Sequence, residues 1–278
     1  MDAIPLPFYE VVPLDAIDGG VKGMRALFVN VFAVSSPGGG WTLIDTGLHM
    51  ASGKIKHWAE SHFGKGAKPD AIILTHGHFD HVGSVKDLLQ DWNVPVYAHT
   101  AELPYLTGHL KYPAPDPGVG GGLMAVMSPL YPRTSADLKD RVRALPADGS
   151  VPTLPGWRYI HTPGHAPGHI SLFRAEDKVL LPGDAFCTTK QESFLAVAKQ
   201  KPELHGPPAY YTTDWDAARA SVLELAKLRP RTIAPGHGLP ICGDEVSDQL
   251  QRLADYFDHF ALPEHGKYVH RAAAAATE

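Results

Sequence analysis

The segment Thr75-His76-Gly77-His78-Phe79-Asp80-His81 constrains the fold of this chain more than any other part of its sequence. It follows Ala71–Leu74, an apolar run typical of a buried strand, and a helical pattern comes after it. The first two histidines alternate, so both can point to one side of an extended segment. The aspartate and the third histidine come after the chain has turned and can face a different point. Imidazole and carboxylate groups bind divalent metals, so the spacing indicates two adjacent metal ions better than one.

Three later segments repeat the order of a strand, a turn rich in Gly or Pro, and a ligand-type residue. They are His161–His169 after the strand that ends at Ile160, then Leu181-Pro182-Gly183-Asp184, and then Ala234-Pro235-Gly236-His237-Gly238. Glycine allows the backbone to approach a bound group closely. In layered α/β folds, functional groups usually lie on loops at the carboxyl ends of strands. We therefore expect the four segments to meet in one site.

Short apolar runs alternate with helical patterns along the rest of the chain. The predicted strands are Phe28–Val34, Thr42–Ile44, Ala71–Leu74, Val96–Ala98, Arg158–His161, Ile170–Arg174, Val179–Leu181 and Thr232–Ala234. The predicted helices are Ser52–Phe63, Ser84–Trp92, Asp214–Leu228 and a C-terminal helix over Asp244–Phe260. Thr213 and Asp216 have the spacing of a capping box at the start of the third helix.

One long segment, residues 103–135, fits neither the strand nor the helix pattern. Its part from Leu103 to Arg133 contains six prolines and five glycines, together with many apolar and aromatic residues. Long inserts of this kind are functional or disordered, and the apolar content argues against plain disorder. We interpret the insert as a lid or wall over a binding site rather than a flexible linker. Since no clear domain break is visible, residues 1–278 are expected to form a single domain.

Composition and charge exclude some functional classes. The chain has 278 residues, is 44% hydrophobic and 20% charged, and carries a formal net charge of −5. The basic surface expected of a nucleic-acid binder is missing, and no apolar run approaches the roughly 18 residues that a membrane span needs. The N-terminal segment Met1–Pro5 does not have the pattern of a signal peptide, so we expect a cytoplasmic protein. Cys187 and Cys242 could form one disulfide at most, and the sequence does not indicate a role for either.

The order H-x-H-x-D-H, then His, then Asp, then His resembles the metallo-β-lactamase superfamily, over about Phe28 to Gly238. Asp45, in Leu43-Ile44-Asp45-Thr46-Gly47, is similar to the opening motif of that family. The resemblance implies an α/β fold, an αββα sandwich of two mixed β-sheets with helices on the outer faces. It also implies that Asp45 supports the metal loop without binding metal itself.

The resemblance assigns a ligand to each position of its motifs. It implies that the first metal is held by His76, His78 and His165. The second is held by Asp80, His81 and His237, and Asp184 bridges the two. His161 and His169 flank His165 without matching a ligand position, so we expect them to be structural.

Two Zn²⁺ ions per chain suit these ligands best, although Mn²⁺, Fe²⁺ or Co²⁺ are also accepted by mixed His and carboxylate sites. The resemblance then implies a dinuclear metal-dependent hydrolase, in which a hydroxide shared by the metals attacks a carbonyl of a lactone, ester or thioester. Asp80 is the expected catalytic residue, because it can orient the nucleophile or help to move a proton. Neither cysteine lies beside a base that would make it a nucleophile.

Differences from the motifs of individual branches indicate which branch of the superfamily this chain resembles. Class B β-lactamases generally have Cys or Ser where this chain has Asp184. Homoserine-lactone hydrolases have a tyrosine shortly after the bridging aspartate, where this chain has Phe186 and Cys187, and the segment is also unlike the glutathione-binding loop of glyoxalase II. The chain thus resembles the broad lactonase and glyoxalase II-like branch rather than the class B β-lactamases.

The expected partner is a small-molecule substrate, rather than a nucleic acid or a membrane. The expected substrate contacts are apolar or aromatic: Tyr105, Leu106, Met124, Met127, Tyr131 and Phe186. A phosphodiesterase, a weak β-lactamase, a mononuclear iron sulfur dioxygenase and a non-catalytic binding protein stay open as alternatives. A homodimer is also open, since the insert and the C-terminal helix could each contribute a surface.

Overall fold

The computed structural model describes residues 4–5, 10–11, 13–15, 17, 19–200 and 203–269. Met1–Ala3, within the segment considered for a signal peptide, and the alanine-rich C-terminal tail lie outside the described residues. In chain order the strands are β1 (Ile4–Pro5), β2 (Glu10–Val11), β3 (Val21–Ala26), β4 (Val29–Ser35), β5 (Trp41–Ile44), β6 (Ala71–Ile73), β7 (Val96–Ala98), β8 (Val142–Ala144), β9 (Trp157–His161), β10 (Ile170–Arg174), β11 (Val179–Leu181), β12 (Glu203–Leu204), β13 (Thr232–Ile233) and β14 (Ile241–Cys242).

The helices of the described residues are mostly short. They are α1 (Ser52–Phe63), α2 (Phe79–Val82), α3 (Val85–Asp91), α4 (Leu103–Leu106), α5 (Leu123–Met127), α6 (Phe194–Lys199), α7 (Trp215–Lys227), α8 (Val246–Asp255) and α9 (Phe257–Phe260). Single 3-10 turns lie at Thr100–Glu102, Pro117–Val119, Ser128–Leu130 and Lys139–Arg141. No described helix combines the length and the apolar character that crossing a membrane requires.

Two six-stranded sheets form the centre of the fold. The first has the order β3-β4-β5-β6-β7-β8, with antiparallel pairs up to β5 and parallel pairs from β5 to β8. The second has the order β2-β14-β13-β11-β10-β9, in which the β11–β13 pair is parallel and the other pairs are antiparallel. Strands β1 and β12 form a separate antiparallel pair. Both large sheets are therefore mixed.

Side chains alternate along the strands and so divide the core into three layers. On β4, Val31 and Ala33 pack in a cluster with Ile55 of α1 and Leu88 of α3, whereas Phe32 packs between the sheets. Strand β11 behaves in the same way, because its outer residues face the first sheet and its central residue faces the cluster of α7 and α8. Period-2 alternation on strands buried on both faces requires this layering. The expected αββα sandwich is confirmed.

The predicted C-terminal helix over Asp244–Phe260 is wrong as a continuous element. The chain forms α8 and α9, which are separated at Tyr256, where φ is −116° and ψ is 35°. The apolar residues keep helical spacing on both sides of the break, so periodicity alone could not reveal it.

The predicted capping box at the start of α7 is also wrong. Asp214 is the N-cap, and its Oδ1 accepts a hydrogen bond of 2.9 Å from the Ala217 backbone N–H. Since Asp214 occupies the cap, Thr213 lies outside the helix. Strand β3, the edge strand β8 and strand β14, which lies between β2 and β13, were not predicted, because they are short or carry few apolar residues in sequence.

The insert is folded rather than structureless. It contains α4, α5 and two 3-10 turns, and it is attached to the body at several points. Met124 N–H donates to the Glu192 carbonyl at 3.1 Å, and Asp116 N–H donates to the Tyr210 carbonyl at 2.7 Å. Its position against the loops after β11 and before α7 places it beside the ligand-type residues described next.

Candidate metal centre

Loops from both sheets carry the ligand-type residues. The loop after β6 runs into α2 and contains His76 to His81, while His165 lies in the connection between β9 and β10. Asp184 follows β11, and His237 follows β13. The Ile170 N–H donates to the Thr75 carbonyl at 3.0 Å, which links the loop of the first sheet to a strand of the second. The centre therefore lies where the two sheets meet at one edge.

Three groups of side chains have ligand atoms that lie within 4.8 Å of one another, all of them buried. The groups are His76 with His78 and His165, then His76 with His81 and Asp184, and then Asp80 with His81 and His237. All seven residues that the sequence analysis assigned as ligands belong to them. The structure thus brings the whole predicted set together, in an arrangement with more than one focus.

Asp184 lies between the two outer groups. Its Oδ2 is 3.5 Å from His165 Nε2, 3.5 Å from His81 Nε2 and 3.2 Å from His237 Nε2. Its other oxygen, Oδ1, is buried without a hydrogen-bond partner, and the same holds for Nε2 of His76 and of His81. Buried polar atoms without partners are costly, and metal coordination would satisfy them. The donor set therefore fits divalent cations of the zinc type.

Hydrogen bonds at the outer ring nitrogens orient these imidazoles. His81 Nδ1 lies 2.8 Å from Asp45 Oδ2, and His237 Nδ1 lies 2.8 Å from the Phe28 carbonyl oxygen. In both rings the outer nitrogen is the donor, so Nε2 is the atom that faces the centre. Asp45 also accepts from Thr75 N–H at 2.8 Å and from Thr75 Oγ1 at 2.7 Å. The structure thus places Asp45 behind the metal loop.

Two further polar residues support the loops of the second sheet. His169 Nε2 accepts a 2.8 Å hydrogen bond from the Asp184 backbone N–H, and its Nδ1 lies 3.1 Å from the Thr162 carbonyl. Asn30, on β4, donates to the carbonyls of Pro235 and Gly238 at 2.9 and 2.7 Å and so holds the His237 loop. By contrast, His161 is exposed and stacks on His99 with ring centroids 4.0 Å apart.

The electrostatics divide the histidines into two kinds. Burial and neighbouring imidazoles lower the pKa of His76 and His78 well below the usual value. Burial lowers the pKa of His165 to about 4, against the opposing effect of Asp184. Burial also acts to lower the pKa of His81 and His237, but the nearby carboxylates, above all Asp184, raise both on balance. The centre thus combines neutral imidazoles with a carboxylate-rich side.

The carboxylates differ from each other in a similar way. Burial disfavours the charged form of Asp184, yet His237 and His81 hold its pKa well below the usual value. Burial raises the pKa of Asp80, which touches the same histidines from farther out. The charged form is therefore favoured at Asp184, while Asp80 is the carboxylate that more readily accepts a proton.

Two of the expected substrate contacts are wrong. Leu106 and Phe186 have no exposed surface, because Leu106 packs in the core with α1 and α3 and Phe186 packs in the core of the second sheet. Tyr105 is half-buried and stacks on Tyr112 at 4.3 Å. An apolar residue next to a ligand motif is as well suited to the core as to a substrate, so sequence could not separate the two roles.

The other expected contacts are Met124, Met127 and Tyr131 of the insert, of which Tyr131 packs against the metal loop. Tyr131 is 5.7 Å from Phe79 between ring centroids, and its hydroxyl lies 3.6 Å from Met124 Sδ. Burial and the Asp80 carboxylate raise the pKa of Tyr131. Met127 is exposed on the same short helix as Met124. These three residues stay candidates for contact with a substrate.

Sequence analysis missed three residues that contact the ligand loops. Tyr211 stacks on His78 at 4.5 Å between ring centroids, and Tyr112 packs against the same imidazole at 4.5 Å. Glu102 is fully buried beneath the loops. The pair Tyr210-Tyr211 between prolines and a helix cap was a visible signal, whereas Glu102 looked like an ordinary surface residue after a strand.

Comparisons with known proteins agree with this geometry. The family model described as the metallo-beta-lactamase superfamily matches residues 24–237. The chain is 48% identical over 238 residues to the probable metallo-hydrolase YflN of Bacillus subtilis, which covers 85% of this chain and 90% of that protein. It is 33% identical over 115 residues to the hydroxyacylglutathione hydrolase GloC of Haemophilus influenzae, covering 41% of this chain and 48% of that protein.

A solved structure gives the same relationship. The crystal structure of TTHA1623 in a di-iron-bound form has a TM-score of 0.54 and 28% sequence identity, and the match covers 80% of this chain and 94% of that one. The family model spans well over half of this chain and includes every ligand-type residue described above. The chain belongs to the metallo-beta-lactamase superfamily and is a metallo-hydrolase.

Proposed function

We propose that this protein is a dinuclear metal-dependent hydrolase of lactone, ester or thioester bonds in a small-molecule substrate, with two Zn²⁺ ions per chain. One observation carries the proposal. A single oxygen of Asp184 lies 3.2–3.5 Å from Nε2 of three histidines that belong to two different groups. A carboxylate in that position suits a bridge between two cations.

The residues of each metal follow from the groups. His76, His78 and His165 would hold one ion, Asp80, His81 and His237 would hold the other, and Asp184 would contact both. When bound, such ions supply Lewis acidity, since they generate a nucleophile from water near neutral pH and polarise a carbonyl oxygen. No serine or cysteine nucleophile is required.

The chain itself contributes orientation and proton handling. Asp45, the Phe28 carbonyl and His169 fix the ring nitrogens and the Asp184 backbone, so the ligand atoms are arranged before any substrate binds. Asp80 lies at the outer side of the centre, 3.5 Å from His237 Nε2, and burial raises its pKa. In this position Asp80 can orient a water molecule and accept its proton.

The descriptions of two relatives support a hydrolase and favour an acyl bond as the bond that it cleaves. YflN is described as a probable metallo-hydrolase, and GloC as a hydrolase of hydroxyacylglutathione. Attack at the carbonyl of an acyl compound is the reaction that lactones, esters and thioesters share. The di-iron form of TTHA1623 favours two metals and keeps iron as an alternative to zinc.

Apolar side chains of the insert support an acyl-bearing substrate. Leu123, Val126, Met127 and Leu130 are 53%, 64%, 40% and 78% exposed. Tyr131 connects this surface to the metal loop, because its ring lies 5.7 Å from that of Phe79, the neighbour of Asp80 in sequence. A substrate whose carbonyl lies at the centre could place an apolar tail along the insert, and burial of apolar surface would favour that position.

The test combines metal analysis with a substrate panel. The purified protein is expected to contain about two zinc-type ions per chain and to hydrolyse at least one of a lactone, a thioester and an aryl ester. A phosphodiester and a cephalosporin complete the panel. A single iron per chain would support the sulfur dioxygenase instead, and a metal-loaded protein that turns over no member of the panel would contradict the hydrolase.

A point substitution tests the substrate surface. Met127→Ser removes an exposed apolar side chain without touching a ligand loop, so KM for an acyl ester is expected to rise several-fold while metal content stays at the wild-type value. Lys111→Ser, at an exposed position of the insert, is the matched control. An unchanged KM would show that the acyl group binds elsewhere.

A further inference from the structure

Glu102 is a buried carboxylate that contacts two ligand loops at once. It has no exposed surface and lies in the 3-10 turn that follows β7. Its Oε2 accepts from the Gly77 backbone N–H at 2.9 Å, and its Oε1 accepts from the Gly168 backbone N–H at 2.7 Å. The Tyr112 hydroxyl donates to Oε2 as a third partner.

The two glycines lie in different segments of the chain, and each segment carries histidines of the same metal group. Gly77 separates His76 from His78, whereas Gly168 lies three residues after His165. These three histidines form one of the groups, and they come from loops of both sheets. Glu102 is therefore a single side chain that ties the backbone of the loop after β6 to the backbone of the β9–β10 connection.

The two glycines are required by the closeness of these contacts. A Cβ added to Gly168 would lie 2.7 Å from the Glu102 backbone nitrogen and 2.8 Å from its Cγ. A Cβ added to Gly77 would lie 2.5 Å from the Tyr112 hydroxyl oxygen. Any larger residue would push the loops away from the carboxylate, so both glycines are accounted for by the position of Glu102 and Tyr112.

Tyr112 links the Glu102 carboxylate to the His78 imidazole. Its hydroxyl oxygen accepts from Gly77 N–H at 3.0 Å, and its ring lies 4.5 Å from the His78 ring. Tyr112 belongs to the insert, so the insert is attached to the metal loop by this residue. Removal of the whole insert would therefore disturb metal binding as well as substrate binding.

In the group of Asp80, His81 and His237, a different carboxylate, that of Asp45, contacts a ligand histidine. Asp45 contacts His81 Nδ1 at 2.8 Å, whereas Glu102 approaches the backbone between His76 and His78. We propose that Glu102 is a positioning residue for the metal held by His76, His78 and His165, and that it acts through the Gly77 and Gly168 amides. The inference rests on the proposed two-metal function. It adds that Glu102 supports only the site of His76, His78 and His165, whereas Asp45 contacts His81 directly and reaches His76 through the Thr75 hydroxyl.

The substitution Glu102→Gln tests this inference. A glutamine side chain keeps the shape but offers one acceptor oxygen, so its amide N–H₂ would face the N–H of one of the two glycines. One loop would lose its acceptor. We expect Zn²⁺ affinity to fall about 10–100-fold at one of the two sites, and the other site to keep the wild-type affinity.

Asp116→Asn is the matched control. Asp116 is also a buried carboxylate that accepts backbone N–H donors, from Gly118 and Lys267, but it ties the insert to the C-terminal segment instead of the ligand loops. Zn²⁺ affinities are measured by competition with a chromophoric chelator, and the visible spectrum of the Co²⁺-loaded protein reports ligand geometry. The melting temperature of the metal-free protein reports stability alone.

The inference predicts that Glu102→Gln changes one Zn²⁺ affinity and the Co²⁺ spectrum, while Asp116→Asn changes neither. The inference would be overturned if both Zn²⁺ affinities of Glu102→Gln were unchanged. It would also be overturned if Glu102→Gln and Asp116→Asn lost the same amount of Zn²⁺ affinity. Should Glu102→Gln fail to fold, Tyr112→Phe removes one donor to the carboxylate and one acceptor for Gly77, and the same selective loss is expected. A wild-type protein that binds no pair of ions would refute the proposed function instead.

Discussion

At the scale of single residues, the hydrogen bond at the outer nitrogen of His81 and of His237 decides which ring atom faces the centre. The carboxylate of Asp45 and the carbonyl of Phe28 accept hydrogen bonds from Nδ1 of His81 and His237, respectively. Nε2 of both rings therefore faces the centre. An H-x-H-x-D-H pattern supplies only the ligand type. The geometry depends on partners far away in sequence, which lie 36 residues from His81 and 209 residues from His237.

Asp45→Asn is expected to weaken metal binding. The amide keeps an acceptor for Thr75 but removes the charge that holds the His81 Nδ1 proton, and changes of this kind typically cost 10–100-fold in metal affinity. Equilibrium dialysis against Zn²⁺ measures the loss. Asp70→Asn, an exposed aspartate just before β6, is the control. Wild-type affinity in Asp45→Asn would show that His81 is oriented by its packing alone.

His99 is expected to make the protein less stable in mild acid. Burial, with the adjacent His161, lowers the pKa of His99 from 6.5 to about 4. Because the unfolded chain then binds a proton that the folded chain refuses, the stability is unaffected above pH 6.5 and decreases as the pH falls from 6.5 towards 4.

The variant His99→Asn removes this titration and keeps a side-chain acceptor for the Ala101 N–H. Urea unfolding of the metal-free proteins at pH 7 and pH 5 is the measurement. The variant is expected to gain stability relative to wild type at the lower pH, whereas His57→Asn, at an exposed position on α1, should not. A pH-independent difference between His99→Asn and wild type would contradict the assignment.

At the scale of elements, helix ends show how closely local signals compete. Before α7, Thr213, Asp214 and Asp216 all have side chains suited to a cap or a first turn, and the capping-box spacing favoured Thr213 with Asp216. In the fold, the Thr213 and Asp214 amides both donate to the Gly164 carbonyl at 3.2 Å, next to His165. That contact fixes the backbone before the helix and leaves Asp214 in the cap position.

Asp214→Ala is expected to lower the free energy of unfolding by about 1 kcal/mol, since the Ala217 N–H loses its acceptor. Thr213→Ala should cost clearly less. Urea denaturation of both variants at pH 7 gives the comparison. Equal losses in the two variants would restore Thr213 as the cap.

At the scale of the whole molecule, the centre joins the two sheets. Its ligand-type residues follow β6 in one sheet and β9, β11 and β13 in the other. The carboxylates and imidazoles at this junction do not satisfy all of one another's hydrogen-bonding atoms. Asp184 Oδ1 and the Nε2 atoms of His76 and His81 are buried without a hydrogen-bond partner. Cations that bind only the folded state would therefore stabilise the entire sandwich.

Removal of metal is expected to lower the melting temperature by about 8–16 °C. A ligand at 1,000 times its dissociation constant stabilises the folded state by about 4 kcal/mol, and each kcal/mol corresponds to about 2–4 °C in a domain of this size. Calorimetry before and after chelation measures the change, and re-addition of Zn²⁺ should restore the wild-type value. A melting temperature that does not respond to metal would argue that the sites are empty in the folded protein.

The layered fold was expected from the family resemblance, whereas the sequence by itself determined the ligand types and the strands that carry them. These are local properties: Ile170–Arg174 and Val179–Leu181 have the predicted bounds, and each ligand motif directly follows or connects strands. Period-2 patterns and ligand spacing are written within a few residues, so they are readable without the fold.

Only the tertiary structure decided what stands behind the ligands and which apolar residues are accessible. Glu102 contacts Gly77 and Gly168 across 25 and 66 residues, and no local pattern marks such a contact. Leu106 and Phe186 became core residues, whereas Met127 remained exposed. An apolar side chain carries the same local signal in both places, and its burial depends on the elements that pack against it from elsewhere in the chain.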